Sequence, residues 1–273
     1  MGFRFYVKPY GGLIIPAPCS RHGSTAYHTP ISKDSNILSD NTKRKIRNAI
    51  SWLDACSTEQ KIYVKKLKKT VKWRINIATL TFPNNMQDDK KAVQMLSRWL
   101  EMAKYRFNMT TYVWKAEPQE RGSIHFHFST NVYIPFRELN YTWNRELFKN
   151  GFDGTHSNST DIQPIINVRN MQGYLSEYYL NEKKHDGRRQ IQCRKWGCSH
   201  NLSNAGKDYV YIDDNEAASW FSELSKWKME FKSQSYANVY KFNHTGYFKS
   251  LLNEAIIQIN GVTKQKQLWP RQE

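Results

Sequence analysis

The feature that most constrains the fold is a short alternating segment, Ile124-His125-Phe126-His127-Phe128. Side chains at positions i and i+2 of an extended strand point to the same face. The two imidazoles therefore share one face of a strand, and the three apolar side chains share the other. We expect this strand to cover a hydrophobic core with one face and to present two metal ligands on the other.

Glu117 precedes His125 by eight residues and lies just before a turn-forming segment, residues 118–122. Proline at the start and glycine at the end of this segment favour a hairpin loop. The chain would fold back over the loop and bring Glu117 onto the neighbouring strand, roughly opposite His125. Two imidazoles and one carboxylate would then converge and leave coordination positions open, as in a catalytic metal site. We therefore predict that Glu117, His125 and His127 bind a metal.

The charge of the chain indicates the kind of partner. Its 273 residues include 41 Lys and Arg against 24 Asp and Glu, which gives a formal net charge of +17. This excess favours a polyanion, with nucleic acid first and an anionic membrane surface as the competing interpretation. No apolar run approaches the roughly 18 residues of a spanning helix, and the first residues lack a convincing signal-peptide core. We expect a soluble intracellular protein.

Motifs for ATP-driven activity are absent from the sequence. The phosphate-binding loop requires a glycine upstream of Gly-Lys and a Ser or Thr after it, and Gly206-Lys207 has neither. We therefore expect no use of ATP and no helicase domain on this chain.

The order of the predicted elements indicates an α+β fold. We predict helices near residues 41–56, 88–107, 136–148, 170–182, 216–231 and 247–257, and strands near 74–82, 110–117, 124–132, 161–168 and within 190–202. Such an order favours an antiparallel sheet with helices packed on one face. We divide the chain into a loosely structured N-terminal arm (1–38), a folded domain (39–235) and a basic, aromatic C-terminal extension (236–273).

A pair of tyrosines supplies a candidate nucleophile. Tyr174 and Tyr178 are four residues apart in a predicted helix, so their phenols are adjacent on one helix face, whereas Tyr179 points elsewhere. A phenol next to a metal-bound phosphate can attack phosphorus and hold the strand covalently, which divides one transfer into two reversible steps. Packing is the competing interpretation, because a chain with 16 tyrosines contains such a pair by chance.

Three motifs in this order resemble those of the HUH endonucleases, which initiate rolling-circle replication of small plasmids, microviruses and circular single-stranded DNA viruses. Residues 77–82 (IATLTF) resemble the first motif, and residues 114–127 resemble the second, metal-binding motif with its upstream glutamate. Residues 174–178 (YLSEY) resemble the third motif with its two tyrosines. Residues 194–199 (RKWGCS) also resemble a segment that follows the tyrosine helix in plasmid and microvirus members. The resemblance extends from about residue 39 to residue 231.

The resemblance implies an HUH nuclease fold, a sheet of about five antiparallel strands with the His125 and His127 strand in the middle and the tyrosine helix facing it. It implies Mg or Mn on Glu117, His125 and His127, and a single-stranded or hairpin origin as the substrate. Tyr174 holds the position that single-tyrosine members retain, so it would attack first and form a 5′-phosphotyrosine link. Tyr178 would take part in the return transfer that closes the circle.

The same resemblance implies the cellular setting. The 3′-OH released by the nick would be extended by a host polymerase, and a host helicase would open the duplex, in the cytoplasm of a bacterial cell. Whether the replicon is a plasmid or a virus stays open.

One departure from the family pattern concerns the charge beside the tyrosines. Members usually carry a lysine just before the second tyrosine, where this chain has Glu177. A carboxylate cannot supply that positive charge. Lys183 and Lys184 would supply it only if the helix ended early.

Other interpretations stay open at this point. A transposase or relaxase-like strand transferase would use the same chemistry, and a non-catalytic nucleic-acid-binding α+β domain would carry an incidental His-x-His pair. For the metal ligands, the histidines could instead form a solvent-facing strand edge, and Glu120 is the alternative carboxylate. For the basic residues 61–72, a solvated surface competes with contact to a DNA backbone.

Overall fold

The computed structural model describes residues 2–16, 38–64, 68–154, 156–181, 189–225, 230–234, 237–241 and 246–260. The chain forms two compact units, one from residues 36–203 and one that combines residues 1–35 with 204–273. This division differs from the expected arm (1–38), domain (39–235) and extension (236–273), because both ends of the chain contribute strands to the second unit.

The elements follow in chain order: β1 (Gly2–Lys8), β2 (Gly11–Pro16), α1 (Asp40–Ala55), β3 (Gln60–Val64), β4 (Lys69–Trp73), β5 (Asn76–Thr81), α2 (Asp89–Phe107), β6 (Tyr112–Pro118), β7 (Ile124–Thr130), α3 (Phe136–Lys149), β8 (Thr160–Pro164), α4 (Met171–Leu180), β9 (Trp196–Cys198), α5 (His200–Asn204), β10 (Tyr209–Asp213), α6 (Asp214–Ser225), β11 (Glu230–Gln234), β12 (Ala237–Lys241) and α7 (Gly246–Ile259). Among the described residues, no helix has both the length and the apolar character needed to cross a membrane.

The sheet of the larger unit carries the predicted metal ligands. Within the described part of the chain it has five strands in the order β8-β5-β7-β6-β9, and every neighbouring pair is antiparallel. The strand with His125 and His127, β7, lies in the middle. The predicted α+β class and the antiparallel sheet are therefore confirmed.

The apolar face of this sheet packs against α2 and α3. Phe126 and Phe128 of β7 are fully buried. The ring centroid of Trp99 in α2 lies 5.2 Å from that of Phe128, and Phe82 packs edge-on against both Phe126 and Trp143 of α3. Because a shift by one residue would move every side chain of β7 to the other face, burial of these rings fixes the histidines on the opposite side.

A helix also lies on the histidine face, as the family resemblance implied, whereas the order of the elements alone favoured helices on one face. At the start of α4 the Asn170 side chain accepts a hydrogen bond from the Gly173 amide (2.9 Å). The buried Tyr179 hydroxyl donates to the main-chain carbonyl of Val113 in β6 (2.7 Å). Further support comes from α1, which packs along α4. The tyrosine helix is thereby held against the face that carries the imidazoles.

The described residues on either side of 65–67 in the basic segment 61–72 lie in two paired strands that the sequence did not predict. β3 pairs with β4 in antiparallel register from Gln60 opposite Trp73 to Val64 opposite Lys69. The exposed Lys72 forms an ion pair with Glu59 (2.8 Å). Within the described residues, the pair stands as a separate two-stranded sheet.

The second unit is built on a sheet of order β10-β1-β2-β12-β11 in the described residues. Its core consists of apolar side chains from the strands and from α6 and α7: Phe5, Val7, Ile14, Ile212, Ala217 and Leu251. Residues 2–16 thus form two strands where we expected a loosely structured arm. Similarly, β11 begins at Glu230, so the helix predicted over 216–231 was too long.

Candidate active site

Strands β6 and β7 bring the three predicted metal ligands together. Glu117 lies directly opposite His125 in the strand register, as the hairpin predicted. The Nε2 atoms of His127 and His125 lie 3.4 Å and 3.8 Å from Glu117 Oε2. The three residues form, among those described, the one group of three His, Cys, Asp or Glu side chains whose ligand atoms all lie within 4.8 Å of one another.

The donor set fits a divalent metal. Metal–ligand distances of about 2.1 Å separate neighbouring ligand atoms by about 3 Å, so small side-chain movements would bring all three residues onto one ion. The set contains two nitrogens and one oxygen, which leaves positions for water and substrate in a coordination sphere of four to six.

The protonation states also suit metal binding. Burial alone would raise the pKa of Glu117, but the adjacent imidazoles of His125 and His127, followed by the charge of Lys115, hold it well below its usual value. Burial lowers the pKa of His127 despite its hydrogen bond with Glu117. An ionised carboxylate and a neutral imidazole are the forms that bind a metal.

Thr79 of β5 orients one of the imidazoles. It lies opposite His127 in the register, and its hydroxyl oxygen lies 3.1 Å from His127 Nδ1. Because Nδ1 is engaged in this contact, Nε2 faces Glu117. Hydrogen-bond partners of this kind fix ligand orientation and raise metal affinity. Thr79 is not among the site residues predicted from the sequence, although the alternation of β5 places it on the histidine face.

Lys115 is a second site residue that was not predicted from the sequence. Its side chain is nearly buried, and its ammonium nitrogen lies 2.5 Å from Glu117 Oε1. The same nitrogen donates to the main-chain carbonyl of Tyr178 (2.6 Å) and lies 4.3 Å from the centre of the Tyr178 ring. Lys115 precedes Glu117 by two residues in β6, so strand alternation was the signal for this position.

The position of Lys115 is relevant to Glu177, which stands where the family pattern usually has a lysine. Glu177 is exposed on α4, which ends at Leu180. Lys183 and Lys184 lie outside the described residues. Lys115 supplies a positive charge next to Tyr178 from the neighbouring strand rather than from the helix.

The tyrosines of α4 occupy three different environments. The Tyr178 ring is partly buried and meets His127 edge-on, with 5.7 Å between ring centroids. Tyr174, one turn earlier, is 42% exposed. Tyr179 is buried and anchors the helix through its hydroxyl. The structure therefore brings Tyr178 beside the metal ligands and leaves Tyr174 accessible on the same helix.

The environment of Tyr178 opposes its ionisation. Burial, the Glu117 carboxylate and the neighbouring Tyr174 raise the pKa of its hydroxyl above the usual value. In the absence of a metal, the Tyr178 phenol is therefore protonated at neutral pH.

Residues 194–199 form the edge of the sheet next to the site. Within them, β9 pairs with β6, and Trp196 lies opposite Lys115. A Cβ atom on Gly197 would lie 2.6 Å from the indole nitrogen of Trp114, so glycine is required for this close approach. The Arg194 guanidinium lies 5.7 Å from the centre of the Trp114 ring on the same edge.

Comparison with protein families gives one match. Residues 76–184 match the model of the family described as replication-associated protein ORF2/G2P. The matched segment covers less than half of the chain, but it runs from β5 to the end of α4 and contains every site residue discussed above except those of residues 194–199. No curated protein and no solved structure matches the chain.

Proposed function

We propose that this chain is a replication initiator that nicks and rejoins single-stranded DNA through a covalent tyrosine intermediate. The observation that carries the proposal is the convergence of Glu117, His125 and His127 beside the tyrosine helix, inside the segment that matches a replication-associated family. The net charge of +17 supports a DNA substrate, because basic residues release counterions from phosphates.

Glu117, His125 and His127 would hold the metal, for which we propose Mn or Mg. When bound, the ion would neutralise charge on a phosphate oxygen and hold the phosphate for in-line attack. Thr79 orients the ring of His127 through Nδ1, and Lys115 holds the second oxygen of Glu117. These two residues keep the ligands in place before DNA arrives, which removes reorganisation from the reaction.

Tyr174 is the first nucleophile in this proposal. Its oxygen forms a bond to phosphorus while the bond from phosphorus to the 3′-oxygen breaks; the phenol releases one proton and the 3′-oxygen takes one up. The product is a 5′-phosphotyrosine link and a free 3′-OH. The exposure of Tyr174 supports this role, because it gives DNA access to the phenol, whereas Tyr178 is partly buried and its pKa is raised, first by burial and then by the Glu117 carboxylate.

Rejoining reverses the same exchange. A DNA 3′-OH attacks the phosphotyrosine and loses its proton, and the phenol of Tyr174 leaves and takes one up, so that one phosphodiester replaces another and no ATP is consumed. Tyr178 takes part in this return transfer by cutting a second site, which releases the attacking 3′-OH. Two tyrosines on one helix allow a second cut before the first link is resolved. A host polymerase would extend the 3′-OH in the interval, with strand opening by a host helicase.

The proposal is tested by incubating the full chain with single-stranded DNA from its own replicon and Mn, followed by a denaturing gel. We expect a nicked product and a protein–DNA adduct, both lost in EDTA and in His125→Ala. Glu120→Gln removes an exposed loop carboxylate and should retain activity. If His125→Ala cleaves as the parent does, or if Glu120→Gln alone is inactive, the assigned metal site is wrong.

A further inference from the structure

The sheet of the second unit has an aromatic and basic face outside the segment that matches the family. Phe5 of β1 and Ile212 of β10 face the core beneath the helices. Strand alternation turns their neighbours to the opposite face. We call these residues the aromatic face: Arg4, Tyr6, Lys8, Tyr209 and Tyr211.

Rings and cations interleave on the aromatic face. Tyr6 lies directly opposite Tyr209, with 5.5 Å between ring centroids. Arg4 lies opposite Tyr211, and its guanidinium carbon is 4.9 Å from the centre of the Tyr209 ring. The Lys8 ammonium lies 5.8 Å from the centre of the Tyr6 ring. Each cation is thus placed next to a phenol ring.

Two of these rings are accessible. Tyr209 is 40% exposed and Tyr211 is 55% exposed, at positions i and i+2 of the edge strand β10. The Tyr211 hydroxyl occupies the space that a Cβ atom on Gly2 would fill, so glycine at this position lets the ring lie over the β1 backbone. The pair therefore offers two neighbouring aromatic surfaces, one of them held against the sheet.

The charge of the aromatic face suits an anion. Arg4 contributes one cation and Lys8 a second, whose partly buried ammonium also donates to the main-chain carbonyl of Gly206 (2.9 Å), in a chain whose net charge is +17. The alternation of β10 also places Asp213 on this side, where its carboxylate accepts a hydrogen bond from the Glu216 amide at the start of α6 (2.8 Å). That carboxylate stabilises the helix N-terminus.

We propose that the aromatic face binds single-stranded nucleic acid, with bases stacked on Tyr209 and Tyr211 and phosphates next to Arg4. Unpaired bases expose the flat surfaces that stack on tyrosine, whereas paired bases do not. The site is separate from the proposed nicking chemistry, because it contains none of the metal ligands or α4 tyrosines. It binds DNA whether or not a metal is present.

The test measures the anisotropy of fluorescein-labelled oligothymidylate with the full chain in EDTA. Tyr209→Leu with Tyr211→Leu removes both rings but keeps apolar side chains, and Tyr209→Phe with Tyr211→Phe keeps the rings. We expect the leucine variant to bind at least about tenfold more weakly and the phenylalanine variant to bind within about twofold of the parent. Tyr105→Leu removes a tyrosine that is 76% exposed on α2 and should bind as the parent does.

Two further variants keep the test decisive. Arg4→Gln should reduce the slope of log affinity against log salt by about 0.7, the value for one phosphate contact on a single strand. His125→Ala should bind the oligonucleotide as the parent does, so loss of nicking and loss of this site are distinguishable. Equal binding by the leucine and phenylalanine variants, or an unchanged salt slope in Arg4→Gln, would overturn the proposal and favour a protein partner for this face.

Discussion

The ammonium nitrogen of Lys115 lies 2.6 Å from the main-chain carbonyl oxygen of Tyr178 and 2.5 Å from Glu117 Oε1. One nearly buried cation therefore connects a metal ligand on β6 with the tyrosine helix α4. Lys115 contacts neither substrate nor metal in our account, so we regard it as a positioning residue that sets the distance between the two halves of the site.

Replacing Lys115 should separate metal binding from chemistry. Lys115→Met removes both a positive charge that repels the metal and a contact that holds Glu117; the two effects oppose each other, so affinity for Mn should change little. It also frees the Tyr178 carbonyl, and a small displacement of α4 should slow adduct formation by about a hundredfold. Calorimetric titration with Mn and single-turnover adduct formation measure the two effects.

Lys115→Arg, which keeps the charge, should restore part of the adduct rate. Lys90→Met removes an exposed lysine of α2 and serves as the matched control. A parallel loss of Mn affinity and adduct rate in Lys115→Met would show that the lysine merely stabilises the fold.

The contact between Thr79 and His127 should contribute to metal affinity. Thr79→Val keeps the side-chain shape and removes the hydroxyl, so Mn should bind about tenfold to a hundredfold more weakly. Thr81 lies opposite His125 on the same strand and face, and Thr81→Val should leave the affinity unchanged. Equal affinity of the two variants for Mn would show that the contact between Thr79 and His127 does not contribute to metal binding.

The donor set should prefer Mn to Mg. Imidazole nitrogens suit transition metals, whereas Mg prefers oxygen ligands and retains its water. Two of the three donors here are nitrogens, so the dissociation constant for Mn should be at least about tenfold lower. Competition titrations on the full chain measure the ratio. Tighter binding of Mg would indicate that the histidines are not both ligands.

The hairpin and its ligands were predictable because their signals are local. Alternation around Phe126, a turn-forming loop and the position of Glu117 all fall within a few residues, and the register then follows from burial of one face. The helix with Tyr174 and Tyr178 was predictable for the same reason, because helical spacing is read within one turn.

Contacts between elements that are far apart in the sequence were not predictable from local patterns. Thr79 reaches His127 only because β5 pairs with β7, and Lys115 reaches Tyr178 only because α4 packs on the histidine face. The aromatic residues of β1 find their partner strand β10 near the other end of the chain. A short window of sequence does not reveal such pairings, so the sequence predicts a loosely structured arm over residues 1–38, where the structure has β1 and β2.

The Arg189 side chain should stabilise the larger unit. It donates to both carboxylate oxygens of the buried Asp89 (2.7 Å and 3.0 Å) and to the Gly122 carbonyl in the hairpin loop. Arg189→Met leaves a buried carboxylate without its cation and should lower the free energy of unfolding by about 3 kcal/mol.

Arg106, whose ion pair with Glu138 is half-exposed at both ends, provides the comparison. Arg106→Met should cost about 1 kcal/mol or less. Urea unfolding followed by tryptophan fluorescence measures both changes, and equal costs would show that the Arg189 contact contributes no more than a surface ion pair.

The measurement that tests the central claim most directly is mass-spectrometric mapping of the protein–DNA adduct formed with Mn. We predict that DNA is attached through its 5′-phosphate to Tyr174, that Tyr174→Phe abolishes this adduct, and that Tyr178→Phe still forms it. An adduct that persists in Tyr174→Phe and disappears in Tyr178→Phe would reverse the assignment of the nucleophile. The absence of any adduct between the parent protein and single-stranded DNA of its replicon, with nicking that continues in the variant lacking both tyrosines, would contradict the account.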